Sequence, residues 1–145
     1  GYRVRFGEEM SALQIPGHIS QRMIDQARAG APFEVCGILG GKGNIVSAIY
    51  PMTNTDASRD HFMMDPREQF SVVKSLRSQE LEMLAVYHSH PATPARLSDE
   101  DLRFALTPGI SYVIVSLADP SAPEVRSFRI ADKRVGSEKL IIVND

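Results

Sequence analysis

Two histidines one residue apart, with an aspartate shortly downstream, are the residues of this sequence best suited to chemistry. Side chains two positions apart on a strand point to the same side, so His88 and His90 can present both imidazoles to one point. Pro91 and Pro94 interrupt regular structure, which allows the chain to turn back and bring Asp101 to the same point. Two imidazoles and one carboxylate form a three-ligand zinc set whose fourth position is open to water. The spacing therefore predicts a single zinc ion (Zn2+) per chain held by His88, His90 and Asp101.

A hydrolytic zinc site also needs a group that carries protons. Bound zinc lowers the pKa of its water from ~15.7 to about 7, and a carboxylate then takes the proton and passes it to the leaving amine. Glu34 directly precedes a short apolar run, where partial burial would raise its pKa. Ser98 carries a hydroxyl that can stabilise a developing oxyanion. We predict Glu34 as the catalytic base and Ser98 as the oxyanion stabiliser.

Each of these residues also has an ordinary structural interpretation. Ser98-x-x-Asp101 fits a capping box at a helix start, and the two roles are compatible because a capped turn would hold Asp101 rigidly. A His-x-His pair at a strand end is commonly just exposed, and a glutamate before a strand is usually solvated. The joint spacing of the residues favours the metal site.

Other polar residues leave two interpretations open. Cys36 shares a strand face with Glu34, so it can either approach the metal or pack as a small buried hydrophobic residue. Asn54, Asp56 and Arg59 lie in a polar loop that either borders a substrate groove or forms a solvated turn. The remaining histidines lack metal-ligand spacing and are interpreted as structural or exposed: His18 and His61.

Short helices and strands alternate around these residues. Three helices are predicted: over 15–30, from Asp65-Pro66 onward, and over 98–105. In the second helix, the packed side is predicted to consist of Phe70, Val73, Leu76 and Arg77. Strands are predicted over 35–39 and 45–50 as a hairpin, and over 61–64, 81–87, 112–117, 125–130 and, at an edge, 140–143. Three helices among six or seven strands predict a mixed α/β (α+β) fold, one mixed sheet flanked by helices.

The composition excludes several classes of function. The 145 residues suit a single domain, 1–145, and the net charge of −2 provides no general attraction to nucleic acid or to an anionic membrane. One cysteine forms no internal disulfide, and no apolar run approaches the ~20 residues of a membrane span. We expect a cytoplasmic protein.

Taken together, Glu34, His88-Ser89-His90-Pro91 and Ser98-x-x-Asp101 resemble the JAMM motif of the JAB1/MPN/Mov34 metalloenzyme family, and the resemblance covers nearly the whole chain. It implies a cytidine-deaminase-like fold, with zinc at the end of a central strand. It further implies a zinc metallopeptidase or isopeptidase in which His88, His90 and Asp101 bind the metal, Glu34 acts as base and acid, and Ser98 stabilises the oxyanion.

The resemblance is to the stand-alone prokaryotic branch, whose members act on ubiquitin-like or sulfur-carrier proteins that end in Gly-Gly. It implies a protein tail as substrate and leaves open whether the bond is peptide or isopeptide. Two alternatives are a non-catalytic scaffold of the MPN type and a DNA-repair-associated relative; the intact motif argues against the first and the mild acidity against the second. A nucleoside deaminase is excluded because Pro-Cys-x-x-Cys is absent.

Overall fold

A sheet of seven strands forms the centre of the molecule. The structure, a computed structural model, describes residues 12–104, 107, 109–132 and 134–144. The strands are β1 Ala12–Pro16, β2 Cys36–Lys42, β3 Ile45–Met52, β4 Glu82–His90, β5 Ser111–Ser116, β6 Glu124–Ala131 and β7 Arg134–Val143. The helices are α1 Gly17–Gly30, α2 Pro66–Ser78 and α3 Asp99–Phe104. The prediction of one mixed sheet flanked by helices is confirmed.

The strands follow the order β1-β3-β2-β4-β5-β6-β7, and the sheet closes on itself. β4 and β5 run parallel, as do β1 and β7, whereas β2 pairs antiparallel with both β3 and β4. Closure comes from β1, which pairs with β7 over five positions and with β3 at Gln14 and Ile45. β4 is paired along both of its sides, with β2 and with β5.

Three sequence-based assignments of strands are corrected. The segment 61–64 is not a strand, because Met64 forms only an isolated bridge with Asn54. The segment 140–143 is the end of a longer strand, β7, which pairs with β6 over residues 134–138 and with β1 over residues 139–143. β1 was not predicted, since five residues with two buried side chains carry too little periodicity to be recognised.

The two longer helices pack on opposite faces of the sheet. Neighbouring residues of β2 contact different helices: Leu39 lies in the cluster that α1 covers, and Ile38 in the cluster that α2 covers. α1 buries Ile19, Met23 and Ala27, whose spacing predicted this helix correctly. α2 begins after Asp65, whose side chain accepts a hydrogen bond from the Arg67 amide.

The packed side of α2 differs from the predicted one. Val72 and Leu76 are buried, whereas Phe70 is 67% exposed and Val73 and Arg77 are also exposed. Val72 and Leu76 pack against a cluster that includes Ile38 and Met52 of the sheet. The contact with the sheet, which the helical pattern alone does not contain, sets the rotation of the helix. None of the helices in the described ranges is long and apolar enough to cross a membrane.

Candidate metal centre

The two motif histidines lie among the last three residues of β4. The predicted span 81–87 placed both histidines just after the strand. β4 in fact extends to His90, so both residues lie within it. Each is 4% exposed, and their rings meet edge-on with centroids 5.1 Å apart. Strand alternation places both imidazoles on the α2 face of the sheet, together with Val86.

Asp101 reaches these histidines from the first turn of α3. Its Oδ1 lies 2.8 Å from His88 Nε2, and its Oδ2 lies 3.1 Å from His90 Nε2. Ser98 and Asp101 also form the predicted capping box: the Asp101 amide donates to Ser98 Oγ at 3.0 Å, and the Ser98 amide donates to Asp101 Oδ2 at 2.9 Å. The cap fixes the carboxylate in front of the histidines, so the capping and metal-site interpretations of this segment are compatible.

Hydrogen bonds from the 91–97 connection fix the tautomer of His90. His90 Nδ1 donates to the Pro94 carbonyl at 2.9 Å, because a carbonyl can only accept. The neutral ring therefore carries its lone pair on Nε2, which faces the Asp101 carboxylate. Ser116 Oγ donates to the Thr93 carbonyl at 2.6 Å, which further anchors the connection to β5.

The resulting donor set suits a divalent ion of the zinc type. One ligand atom each from His88, His90 and Asp101 lies within 4.8 Å of the others, and no other group of three such residues occurs among the described residues. Because Nδ1–H of His90 donates to Pro94, the Nε2 lone pair of a neutral His90 faces an oxygen of the Asp101 carboxylate. The lone pair and the carboxylate repel each other, and a cation bound between them would remove this repulsion. Two imidazoles and a carboxylate are the ligands that catalytic zinc uses.

The pairing of β2 with β4 places Glu34 beside this set. Cys36 lies opposite His88, and the Val35 carbonyl accepts from the Ser89 amide at 2.9 Å. Continuing this register puts Glu34 opposite His90. Its side chain is buried, and Oε1 has no hydrogen-bond partner within the described part of the chain. A buried carboxylate oxygen without a partner is costly, and a bound metal with its water would satisfy it.

Burial controls the protonation of the central groups. Removal from solvent raises the pKa of Glu34 to about 8, an effect that the charge of His90 partly offsets and that of Asp101 increases. Removal from solvent lowers the pKa of His88 to about 4, so this imidazole is neutral at neutral pH. Burial opposes ionisation of Asp101 as well, but the Ser98 amide and a protonated His90, which donates from Nε2, bring its pKa below the ordinary value. The same contact, together with the Pro94 carbonyl, raises the pKa of His90 against the effect of burial.

The other candidate residues lie outside the ligand set. Cys36 is fully buried in the cluster under α2, with Sγ 3.9 Å from the Met52 carbonyl, and is not among the metal-ligating group. His61 Nε2 lies 3.1 Å from Asp56 Oδ2 in the polar loop, and His18 is exposed on α1. Arg59 is exposed, and whether it borders a substrate groove stays a prediction.

Two residues support the site through hydrogen bonds that the sequence did not predict. The Ser89 hydroxyl accepts a hydrogen bond from the Val35 amide at 2.8 Å, on the side of β4 opposite the metal ligands. Asn54 donates to the Glu34 carbonyl at 3.0 Å. Both bonds join segments that are distant in sequence, and this is why a local pattern does not reveal them.

Apolar side chains border the centre on one side. The Phe62 ring lies 4.7 Å from the His88 ring, and Phe62, Leu97 and Tyr112 line a cavity of about 30 Å³ next to His88 and Asp101. That volume admits about one water molecule. The free space next to the ligands is therefore narrow.

Comparison with known proteins assigns these features to a family. Residues 16–131 match the family model described as prokaryotic homologs of the JAB domain. The chain is 35% identical over 133 residues to a CysO-cysteine peptidase of Mycobacterium tuberculosis, with 90% of this chain and 91% of that protein covered. It is 31% identical over 133 residues to a desampylase of Pyrococcus furiosus, with 92% and 91% covered.

A solved structure shares the fold. The solution structure of a protein from Desulfitobacterium hafniense superimposes with a TM-score of 0.84 at 43% sequence identity, and covers 92% of this chain and 94% of that one.

Proposed function

The chain belongs to the family of prokaryotic homologues of the JAB domain, and on that premise we propose that it is a zinc-dependent peptidase or isopeptidase. Its substrate is a ubiquitin-like or sulfur-carrier protein, cleaved after a C-terminal Gly-Gly tail. The observation that carries the proposal is the convergence of three zinc-type ligand atoms within 4.8 Å beside a buried carboxylate that has an unsatisfied oxygen.

His88, His90 and Asp101 would hold the zinc. When bound, the metal lowers the pKa of its water and polarises the scissile carbonyl. Glu34 receives the proton of the attacking water at a carboxylate oxygen and donates it to the leaving amine nitrogen, which its raised pKa favours. The nearby positive charge of a bound metal would bring that pKa down toward neutrality.

Ser98 has the hydrogen-bonding capacity for the oxyanion role. Its oxygen accepts from the Asp101 amide, which leaves the hydroxyl proton available to donate to the developing negative charge on the substrate carbonyl oxygen. The cap holds the hydroxyl in place before reaction, and a donor that is already oriented needs little reorganisation.

The narrow space next to the ligands supports a glycine-ended substrate. Phe62 and Leu97 border the space next to His88 and Asp101, so a bulky substrate side chain beside the scissile bond would meet them. An extended Gly-Gly segment has no side chains to clash there. The names of two relatives, a CysO-cysteine peptidase and a desampylase, add support for cleavage at a protein tail.

The test is hydrolysis of defined substrates by the zinc-loaded protein. Gly-Gly-ending small proteins from the same host would be supplied with a C-terminal peptide extension and as lysine conjugates, and the products read by mass spectrometry. We expect a new terminus directly after Gly-Gly. Cleavage of one substrate class alone would identify the bond as peptide or isopeptide.

Glu34→Gln is the matched control, because the amide keeps the shape of the side chain and cannot accept the proton. We expect stoichiometric zinc and no turnover in this variant, and loss of zinc in Asp101→Ala. Wild-type protein that binds no zinc, or Glu34→Gln that retains substantial hydrolysis, would contradict the proposal.

A further inference from the structure

Glu34 lies just before β2, one residue beyond the last bonds to β4, which Val35 makes with Ser89. β2 begins at Cys36, so the main chain of Glu34 lies outside the regular ladder. Its amide donates to the Ser58 carbonyl at 2.7 Å, and its carbonyl accepts from Asn54 Nδ2 at 3.0 Å. Both partners belong to the segment between β3 and α2, which we call the 54–63 loop. The position of Glu34 therefore depends on this loop.

Asn54 is the point at which the loop is held together. Nδ2 also donates to the His61 carbonyl at 3.1 Å, while Oδ1 accepts from the amides of Asp56 and Met63, each at 3.1 Å. An asparagine side chain has two N–H donors and two carbonyl lone pairs, so these four bonds use its full capacity. Oδ1 closes the loop on itself, whereas Nδ2 both closes the loop at the His61 carbonyl and joins it to the Glu34 carbonyl outside the loop.

We infer that Asn54 is a positioning residue for the reaction: its amide nitrogen fixes the main chain of Glu34 and so holds the carboxylate beside the metal ligands. The inference rests on the proposed function, in which Glu34 transfers the proton. The side chain of Glu34 is buried with an unsatisfied Oε1, so no hydrogen bond to that oxygen from the described residues holds the carboxylate in place. The main chain of Glu34 therefore contributes to its placement.

Asn54→Asp keeps the bonds that this side chain accepts and removes those that it donates. A carboxylate of the same shape still accepts from Asp56 and Met63, but it cannot donate to the carbonyls of Glu34 and His61 and faces each of them with a lone pair. Thr55→Val is the matched control in the same loop: Thr55 Oγ1 donates to the Met63 carbonyl at 3.0 Å, and the Thr55 amide keeps a second bond to that carbonyl. Neither of these bonds reaches Glu34.

In the zinc-loaded enzyme, we expect Asn54→Asp to lower kcat by ~10²-fold, the scale of a 1 Å misplacement of a catalytic group. KM should change less than about twofold and zinc should remain stoichiometric, because the ligands and the substrate contacts are untouched. Thr55→Val should keep the wild-type kcat. A kcat within about twofold of wild type in Asn54→Asp, an equal loss in Thr55→Val, or a loss that parallels lost zinc would overturn the inference.

Amide hydrogen exchange in the metal-free protein provides a readout that is independent of activity. We expect exchange of the Glu34 amide to accelerate about tenfold in Asn54→Asp and to stay unchanged in Thr55→Val, since the lost bond to the Glu34 carbonyl is of ordinary strength. If the wild-type protein cleaves no substrate, the proposed function fails. The difference in exchange then decides by itself whether Asn54 holds Glu34 in place. Equal exchange of the Glu34 amide in all three proteins would refute the inference about Asn54.

Discussion

Burial and hydrogen bonding set the state of each side chain in the centre before any ligand arrives. His88 is neutral because its charged form is excluded from solvent, and His90 presents Nε2 because its Nδ1 is committed to Pro94. Asp101 stays ionised through its hydrogen bonds, whereas burial favours the protonated form of Glu34. At neutral pH His88 and Asp101 are thus in their metal-binding forms, whereas contacts with Asp101 and Pro94 outweigh burial and raise the pKa of His90, so a metal that binds there has to displace a proton.

The role of Ser98 can be separated from its role as a cap. Ser98→Ala removes both the hydroxyl donor and the cap acceptor, whereas Ser98→Gly removes the donor at a cost to the cap of only a few tenths of a kcal/mol. We expect both variants to lower kcat by ~10²-fold with zinc retained. The measurement is steady-state hydrolysis together with the zinc content. A Ser98→Gly enzyme with wild-type kcat would leave Ser98 as a cap alone.

The buried thiol gives a prediction about reactivity. Burial raises the pKa of Cys36 to about 12, so the unreactive thiol form prevails at every pH below that value. We expect the native protein to resist iodoacetamide at pH 8 and to react once it is unfolded in urea. Labelling is read by mass spectrometry, with Ser78→Cys on the exposed side of α2 as the control that reacts while folded. Rapid labelling of the native wild type would contradict the buried position.

At the scale of elements, the metal centre depends on three segments that meet at one end of β4. β4 provides both histidines, α3 provides Asp101 through its capped first turn, and the register of β2 places Glu34 opposite His90. β2 and β4 begin one residue from their predicted starts, and each extends three residues beyond its predicted end. The rotation of α2 differs from the predicted one, because a helical pattern with Phe70, Val72, Val73 and Leu76 offers more than one apolar stripe, and the sheet selects Val72 and Leu76.

The packed side of α2 can be tested by stability. Leu76→Ala removes a buried side chain and should lower the free energy of unfolding by ~2–5 kcal/mol. Phe70→Ala changes a largely exposed side chain and should cost less than about 0.5 kcal/mol, apart from its contact with Lys74. Urea unfolding of both variants measures the difference. A larger loss of unfolding free energy in Phe70→Ala than in Leu76→Ala would show that Phe70 is on the packed side, as the sequence predicted.

For the molecule as a whole, a bound metal links segments that are far apart in sequence. A ligand that binds only the folded chain stabilises it, by ~2.7 kcal/mol when free zinc is at 100 times the Kd. We expect a chelator to lower Tm by several degrees and added zinc to restore it. Asp101→Ala should show the same Tm with and without chelator. A wild-type Tm that is indifferent to zinc would argue against the metal centre.

The sequence alone identified the candidate site residues, the family resemblance and most of the helices and strands. Strand alternation and helix capping are local rules that act over a few residues. These rules were enough to select four of the candidate residues: His88, His90, Ser98 and Asp101. Membership of the family confirms the resemblance that these residues carry. The zinc and the individual roles stay predictions.

Only the tertiary structure decided how Glu34 is held. Its neighbours are Asn54 and Ser58 in a loop about twenty residues downstream and His90 on another strand, and such partners are chosen by chain pairing over long distances. The closure of the sheet by β1 and β7, and the sheet contact that rotates α2, have the same origin. Local patterns report which side chain can do chemistry, whereas the long-range packing determines which atoms hold it in place.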